Sequence, residues 1–252
     1  ATRPFREINP RVRFVVLTGK DDVRRAVSAI KEGAWDYLTH PADPREVRLV
    51  LESMAEAVAK DLELDYEFRE LTLGELLNGV ADHSLTASVA ALTVTEERKQ
   101  RFRFGPAYQE ITEQLLYHAD NPKPKSLSKL GGGSLEVVAG SSHEERLTYL
   151  KQVIPDLSWK SVKDLETEDL MQLVADEIVD YTIADSNEVA LNKPFFLKLR
   201  VAFDISEPQQ LAWMFAKSED DSLYNEVVKF FEKIRENGEL TRMIERAYGH
   251  VD

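Results

Sequence analysis

A doubly wound α/β fold in two lobes is predicted by three observations. Short apolar, β-rich runs alternate with amphipathic helical segments along the chain, the pattern of βα units rather than of an all-α or all-β domain. The 252 residues suffice for one large or two modest domains, each burying its own core. A polar connector, Asn121-Pro-Lys-Pro-Lys125, breaks the alternation near mid-chain, as a crossing into a second lobe would.

The elements follow in order. Residues 12–18 are an apolar β-rich run ended by Gly19, and Asp21-Asp22 open a helix with Val23, Ala26, Val27 and Ile30 at helical spacing and Gly33 as its stop. Residues 35–39 form a second strand, broken at His40-Pro41. A capping box with Pro44 at the first helical position then starts a long helix lined by Val47, Val50, Leu51, Met54 and Val58. The stretch 89–106 comes next: an apolar strand runs to Thr93, Thr95 is placed to cap a short helix, and alternating Phe102 and Phe104 lead to Gly105-Pro106. Further strands are expected at 111–117, 135–139, near Trp159, at 180–185 and at 199–203, and Gln209 to Ala216 resembles a return crossing to the first lobe. Helices begin near His143 and carry Leu170, Leu173 and Val174 inward. Two closing helices carry Leu223, Val227, Phe231 and Ile234, then Met243 and Ile244, with Gly238 between them.

Composition narrows the function. Hydrophobic residues at 43% and charged residues at 31% describe a globular chain. A net charge of -13 opposes non-specific nucleic-acid binding, which needs Lys and Arg against phosphates. With no cysteine there is no disulfide or thiolate site, and five scattered histidines show no metal-ligand spacing, so neither metal nor cofactor is expected. No run reaches the length of a membrane span, and residues 1–7 contain no apolar signal core. No G-x-S-x-G motif marks a nucleophile, and the expectation is a chain that is not an enzyme.

Three places have the chemistry of a polar ligand site. Arg98, in the first turn after Thr95, offers a planar fork to a carboxylate, with Thr93 and the amides near Ala91 as further donors; a solvated surface arginine is the alternative. At Gly140-Ser-Ser142 a strand, a small-residue turn and a helix N-terminus present amides and hydroxyls, though a plain Ser cap reads equally well. His143 reads as a first-turn surface residue. Asp185 ends a strand where doubly wound sheets bind ligands, or only caps the next helix.

The order "LTVTEERKQRFRFGPAY", with "SLEVVAGSSHEERL", "VDYTIADSNEVAL" and "ENGELTRMIERAYGH", resembles the family-three extracellular solute-binding proteins, the amino-acid-binding group of periplasmic binding proteins. The resemblance covers about residues 52–250 and implies a two-lobed, type-two periplasmic-binding-protein fold, a periplasmic setting and no catalysis. It also implies an amino acid or small peptide, including one derived from cell wall, held in an interlobe cleft. Arg98 would pair with its carboxylate and Asp185 with its ammonium, while Thr93, Ser142 and the amides near Ala91 and Gly140 complete the polar shell. Lobe one would comprise 52–117 and 208–252, and lobe two 118–207, with hinge motion through 113–122 and 204–212.

Residues 12–52 carry a second likeness. "RFVVLTGKDDVRRAVSAIKEGAWDYLTHPADPREVRLVLE" resembles the C-terminal half of a response-regulator receiver domain, a flavodoxin-like βαβα fragment, with Thr18, Tyr37 and His40-Pro41 at its switch positions. His replaces the usual Lys, and the phosphoacceptor strands would precede residue 1, so phosphorelay chemistry is not expected. Residues 1–51 thus stand where a solute-binding lobe has its first strand and ligand-covering loop. A natural or engineered chimera with no retained ligand is therefore the alternative function, and strand exchange into a swapped dimer is the oligomeric expectation. Residues 82–91 are about four longer than the family pattern, as a bulge or a longer entry loop.

Overall fold

The computed structural model describes residues 14–15, 54–60, 62, 69 and 71–248. The receiver-like elements at 16–52, including Thr18, Tyr37 and His40, lie outside the described residues. Of the first expected strand, Phe14–Val15 (β1) is described, and it pairs in parallel with Ala87–Thr93 (β2) in the register Phe14↔Ala87 and Val15↔Ser88. Helical residues 54–60 bury Met54, Ala55, Val58 and Ala59, the spacing of one helix face.

The chain divides into two compact units, one of residues 1–109 and 211–252 and the other of residues 110–210. The expected boundaries were 117/118 and 207/208. The first falls earlier because Glu113–His118 (β5) hydrogen-bonds to strands on both sides within the second unit's sheet.

In the first unit, helix α1 (Leu73–Ala81) starts on a capping box, Thr72 with Glu75, and buries Leu76, Gly79 and Val80. Residues 82–86 form a turn ahead of β2, in which His83 takes a positive φ of 63° and the Leu85 N–H donates to the Gly79 carbonyl at 2.9 Å. The register of β2 against the return strand 209–216 also slips between Ser88 and Leu92 as a bulge would, so both readings of 82–91 find support. Helix α2 (Glu96–Arg101) follows β2, and β3 (Phe102–Phe104) and β4 (Gln109–Ile111) lead out. The return strand β10 (Gln209–Ala216) lies between β2 and β3, antiparallel to both, so the sheet order is β1-β2-β10-β3, with β4 also on β10. Helices α6 (Ser222–Glu236) and α7 (Glu239–Tyr248) close the chain. Leu223, Val227, Phe231 and Ile234 are buried as their spacing predicts, and the Phe231 ring meets Trp213 edge-on at 5.0 Å. Burying such a side chain stabilises the unit by about 1.5–3 kcal/mol.

The second unit is built around the sheet β7-β6-β8-β5-β9. Its members are β6 (Leu135–Val138), β7 (Lys160–Val162), β8 (Tyr181–Asp185) and β9 (Leu199–Asp204), joined to β5. β6 is parallel to β7 and β8, whereas β5 runs antiparallel to β8 and β9. Helices α3 (Ser142–Lys151), α4 (Thr167–Ala175) and α5 (Ser186–Asn192) connect the strands. One core gathers Leu115, Leu135, Val137, Leu147 and Ile183, and another gathers Leu116, Met171, Val174 and Ala184. Because β5 is reversed, its first residue shares a sheet edge with the last residues of β6 and β8. That edge carries the second unit's polar groups.

Candidate functional site

In the first unit the end of β2 carries the expected residues. Thr95 caps α2, its hydroxyl accepting the Arg98 N–H at 3.2 Å, and this turns the Arg98 side chain back over the strand end. Arg98 is buried, against the surface alternative, and its Nη1 donates to the Thr93 carbonyl at 3.1 Å. A buried guanidinium keeps its charge, so a group of opposite sign nearby is favoured. Thr93 is buried beside it, and Ala91 is half-buried on the same strand.

In the second unit the strand-end turn is capped by Ser141, whose hydroxyl accepts the Glu144 N–H at 3.2 Å, leaving Ser142 as the buried first residue of α3. Gly140 adopts φ 73°, where a side chain would be strained. Its N–H donates to the Glu144 carboxylate at 2.6 Å. Of the amides expected near Gly140, its own is taken by this carboxylate four residues on. Burial raises the Glu144 carboxyl, but the Gly140 amide and the Ser161 hydroxyl outweigh burial and hold it below its usual range.

Asp185 ends β8 and is also the N-cap of α5, so the cap reading holds, and its own N–H donates to Glu188 at 3.0 Å. It is buried against His143, whose Nε2 lies 3.0 Å from Asp185 Oδ1. The reading of His143 as a surface residue is thus corrected, because the first turn of α3 faces the end of β8. Burial disfavours the imidazolium, yet the Asp185 hydrogen bond and charge, with Glu113 and Glu188 adding, hold His143 up to about 9. Glu188, half-buried, is pushed upward by burial and by the Asp185 charge.

Glu113 was missed. It opens β5 directly opposite Asp185, and its side chain is fully buried. Burial is the largest influence and raises its carboxyl, as does Asp185; His143, the Ser142 hydroxyl and Arg146 oppose this without cancelling it. The available signal was strand parity: Glu113 shares a face with Leu115, a core residue. Spacing along the sequence also does not register side chains that meet from separate elements. Glu113, His143 and Asp185 come from three elements, and one donor atom of each lies within 4.8 Å of the others. A second such group, His118, Asp120 and Glu177, is exposed at its two acids, and Asp120 there pairs with Lys198 at 2.8 Å.

Two α/β units, each with one reversed strand in its sheet and polar side chains gathered at strand ends, define a solute-binding module of the type-two periplasmic class. Solved structures share the fold across nearly the whole chain. A mutant of the arginine-binding protein ArgBP from T. maritima matches with a TM-score of 0.75 at 15% identity, covering 99% of this chain and 100% of that one. An ancestral arginine-binding protein bound to arginine matches at 0.72 and 21% identity, covering 96% and 100%. A putative L-cystine ABC transporter from Listeria monocytogenes matches at 0.76 and 16% identity, covering 96% and 97%.

The chain belongs to the bacterial extracellular solute-binding proteins, family 3, whose pattern matches residues 51–250. Curated relatives include the membrane-bound lytic murein transglycosylase F of Saccharophagus degradans, 42% identical over 222 residues, which are 88% of this chain and 44% of that protein. The transglycosylase F of Pseudomonas putida is 34% identical over 218 residues, 86% of this chain and 42% of that protein. The chain thus spans under half the length of these relatives. Among the described residues no helix is long and apolar enough to cross a membrane.

Proposed function

We propose that this chain is a non-catalytic module that binds an amino acid or a small peptide of cell-wall origin. The observation carrying this reading is a pair of buried, oppositely charged side chains at strand ends, Arg98 after β2 in the first unit and Asp185 at the end of β8 in the second. A zwitterion needs one receptor of each sign, and Thr93 and Ser142 add polar partners beside them. Relatives bound to arginine or named for amino acids support the ligand class, and the transglycosylase relatives support a cell-wall source.

A thermal-shift screen of amino acids and muropeptides tests it, with Arg98→Ala and Asp185→Ala alongside. A ligand present at a hundredfold excess over its Kd adds about 2.7 kcal/mol to stability, and the shift should vanish in both variants. A second reading, a fold without a retained ligand, is favoured by the His143–Asp185 pair, which already answers the carboxylate meant for the ammonium. Cooperative melting with no shift across the whole panel would establish that second reading.

A further inference from the structure

Glu113 on β5 and Asp185 on β8 stand directly opposite each other in register, and both are buried. Like charges so opposed destabilise a strand pair, and a buried carboxylate lacking partners is costly. His143 answers only one of them, with Nε2 3.0 Å from Asp185 Oδ1. No hydrogen bond of good geometry reaches either oxygen of Glu113 or Nδ1 of His143 among the described residues, and the neutral Ser142 hydroxyl beside Glu113 does not balance its charge. The three side chains nevertheless converge, one donor atom of each within 4.8 Å of the other two.

We propose that Glu113, His143 and Asp185 together hold a divalent transition-metal cation of the zinc class. One imidazole nitrogen and two carboxylate oxygens are donors that zinc accepts, at about 2.0–2.2 Å. Bonds of that length set neighbouring donors roughly 3.3 Å apart in a tetrahedron, close to the His143–Asp185 separation of 3.0 Å. Two positive charges neutralise both carboxylates, which a single imidazolium does not. The imidazole selects against calcium and magnesium, which prefer all-oxygen shells. The donors sit on the start of β5, the first turn of α3 and the end of β8, so hydrogen-bonded strands and a capped helix hold them. Three protein donors leave a fourth position open to water or to a donor atom of a bound solute. All three residues belong to one unit, and zinc binding does not depend on the amino-acid reading.

The test uses the full chain after chelator treatment, titrated with Zn²⁺ by calorimetry and with Co²⁺ by visible absorption, without any amino acid present. The variants are Glu113→Gln, His143→Gln and Asp185→Asn, with His118→Gln, a buried histidine beside two exposed acids, as control. One Zn²⁺ per chain is expected, with a Co²⁺ spectrum of low coordination number. Affinity should fall at least tenfold in each of the three variants and stay unchanged in the control. The heat should vary with the buffer's ionisation enthalpy, since metal displaces a proton from the imidazole. Glu113→Gln removes a buried charge and keeps the fold, so it decides the matter if the other two variants do not fold. Absence of saturable uptake, uptake unchanged in Glu113→Gln, or loss in His118→Gln would overturn the proposal. A silent amino-acid screen leaves the zinc result standing, and a silent zinc titration leaves the solute reading standing.

Discussion

Nε2 of His143 lies 3.0 Å from Oδ1 of Asp185, both side chains buried, and this contact ties the first turn of α3 to the end of β8 across 42 residues of sequence. Glu113 and Glu188 lie on the same side of the charge balance, and Arg146 acts on Glu113 from the next turn of α3.

The pair makes stability pH-dependent in the metal-free chain. His143 is raised from its ordinary 6.5 to about 9, so the native state keeps a proton that the unfolded chain sheds earlier. The stabilisation is complete below pH 6.5 and is lost as pH rises through about 9, on the order of 3 kcal/mol in all. Urea melts with chelator present should show stability falling between pH 6.5 and 9.5. In His143→Gln that part of the slope should be absent, and an unchanged slope would refute the assignment.

Glu113→Gln should stabilise the metal-free protein at neutral pH. The native carboxyl is raised, so the native state binds its proton more tightly than the unfolded chain does, and ionisation of this group costs stability as pH climbs above about 4.5. The amide has the same shape without the charge, and a gain of about 1 kcal/mol or more is expected at pH 7. Thermal melts of both proteins should converge near pH 4.

Thr95→Ala should act on binding through geometry. Losing the cap of α2 costs about 1 kcal/mol, and it loosens the turn that folds Arg98 onto the Thr93 carbonyl. Calorimetry with a ligand found in the screen should show weaker affinity than the stability loss alone explains, whereas Thr72→Ala at the cap of α1 should leave affinity intact.

Gly79→Ala should reverse the ordinary sign of a helix substitution. Alanine in a helix interior normally gains about 1 kcal/mol over glycine. Here an added Cβ would clash with Leu85 Cδ1 and stand 2.7 Å from its Cγ, and Leu85 is itself buried. Overpacking of this kind costs about 1–3 kcal/mol, so a lower midpoint in chemical denaturation is expected.

What could be read in the sequence was what local chemistry dictates. Thr95 capping α2 and the stripe through Leu223, Val227, Phe231 and Ile234 depend on spacings within a few residues, and the structure shows both; the return strand 209–216 came from the family resemblance instead. His143 depends on partners on β5 and β8, set by sheet register rather than by neighbours in sequence, and it was misread as exposed. Glu113 hid for the same reason. The acceptor of the Gly140 amide was not legible either, because it is decided by a side-chain rotamer on the following helix turn. Of the site, Arg98, Thr93, Ser142 and Asp185 were legible as chemistry, but not the buried acid and base that surround Asp185.

The second unit is one uninterrupted run from Glu110 to Gln210, while the first is assembled from two separated pieces of chain. Inheritance therefore treats them unequally. A single insertion event can transplant the whole of 110–210, carrying Glu113, His143 and Asp185 into a new host gene in one step. Arg98 and the strand that pairs beside it, β10, arrive only if both flanks come along, so the cationic half of the pair is the harder one to move intact.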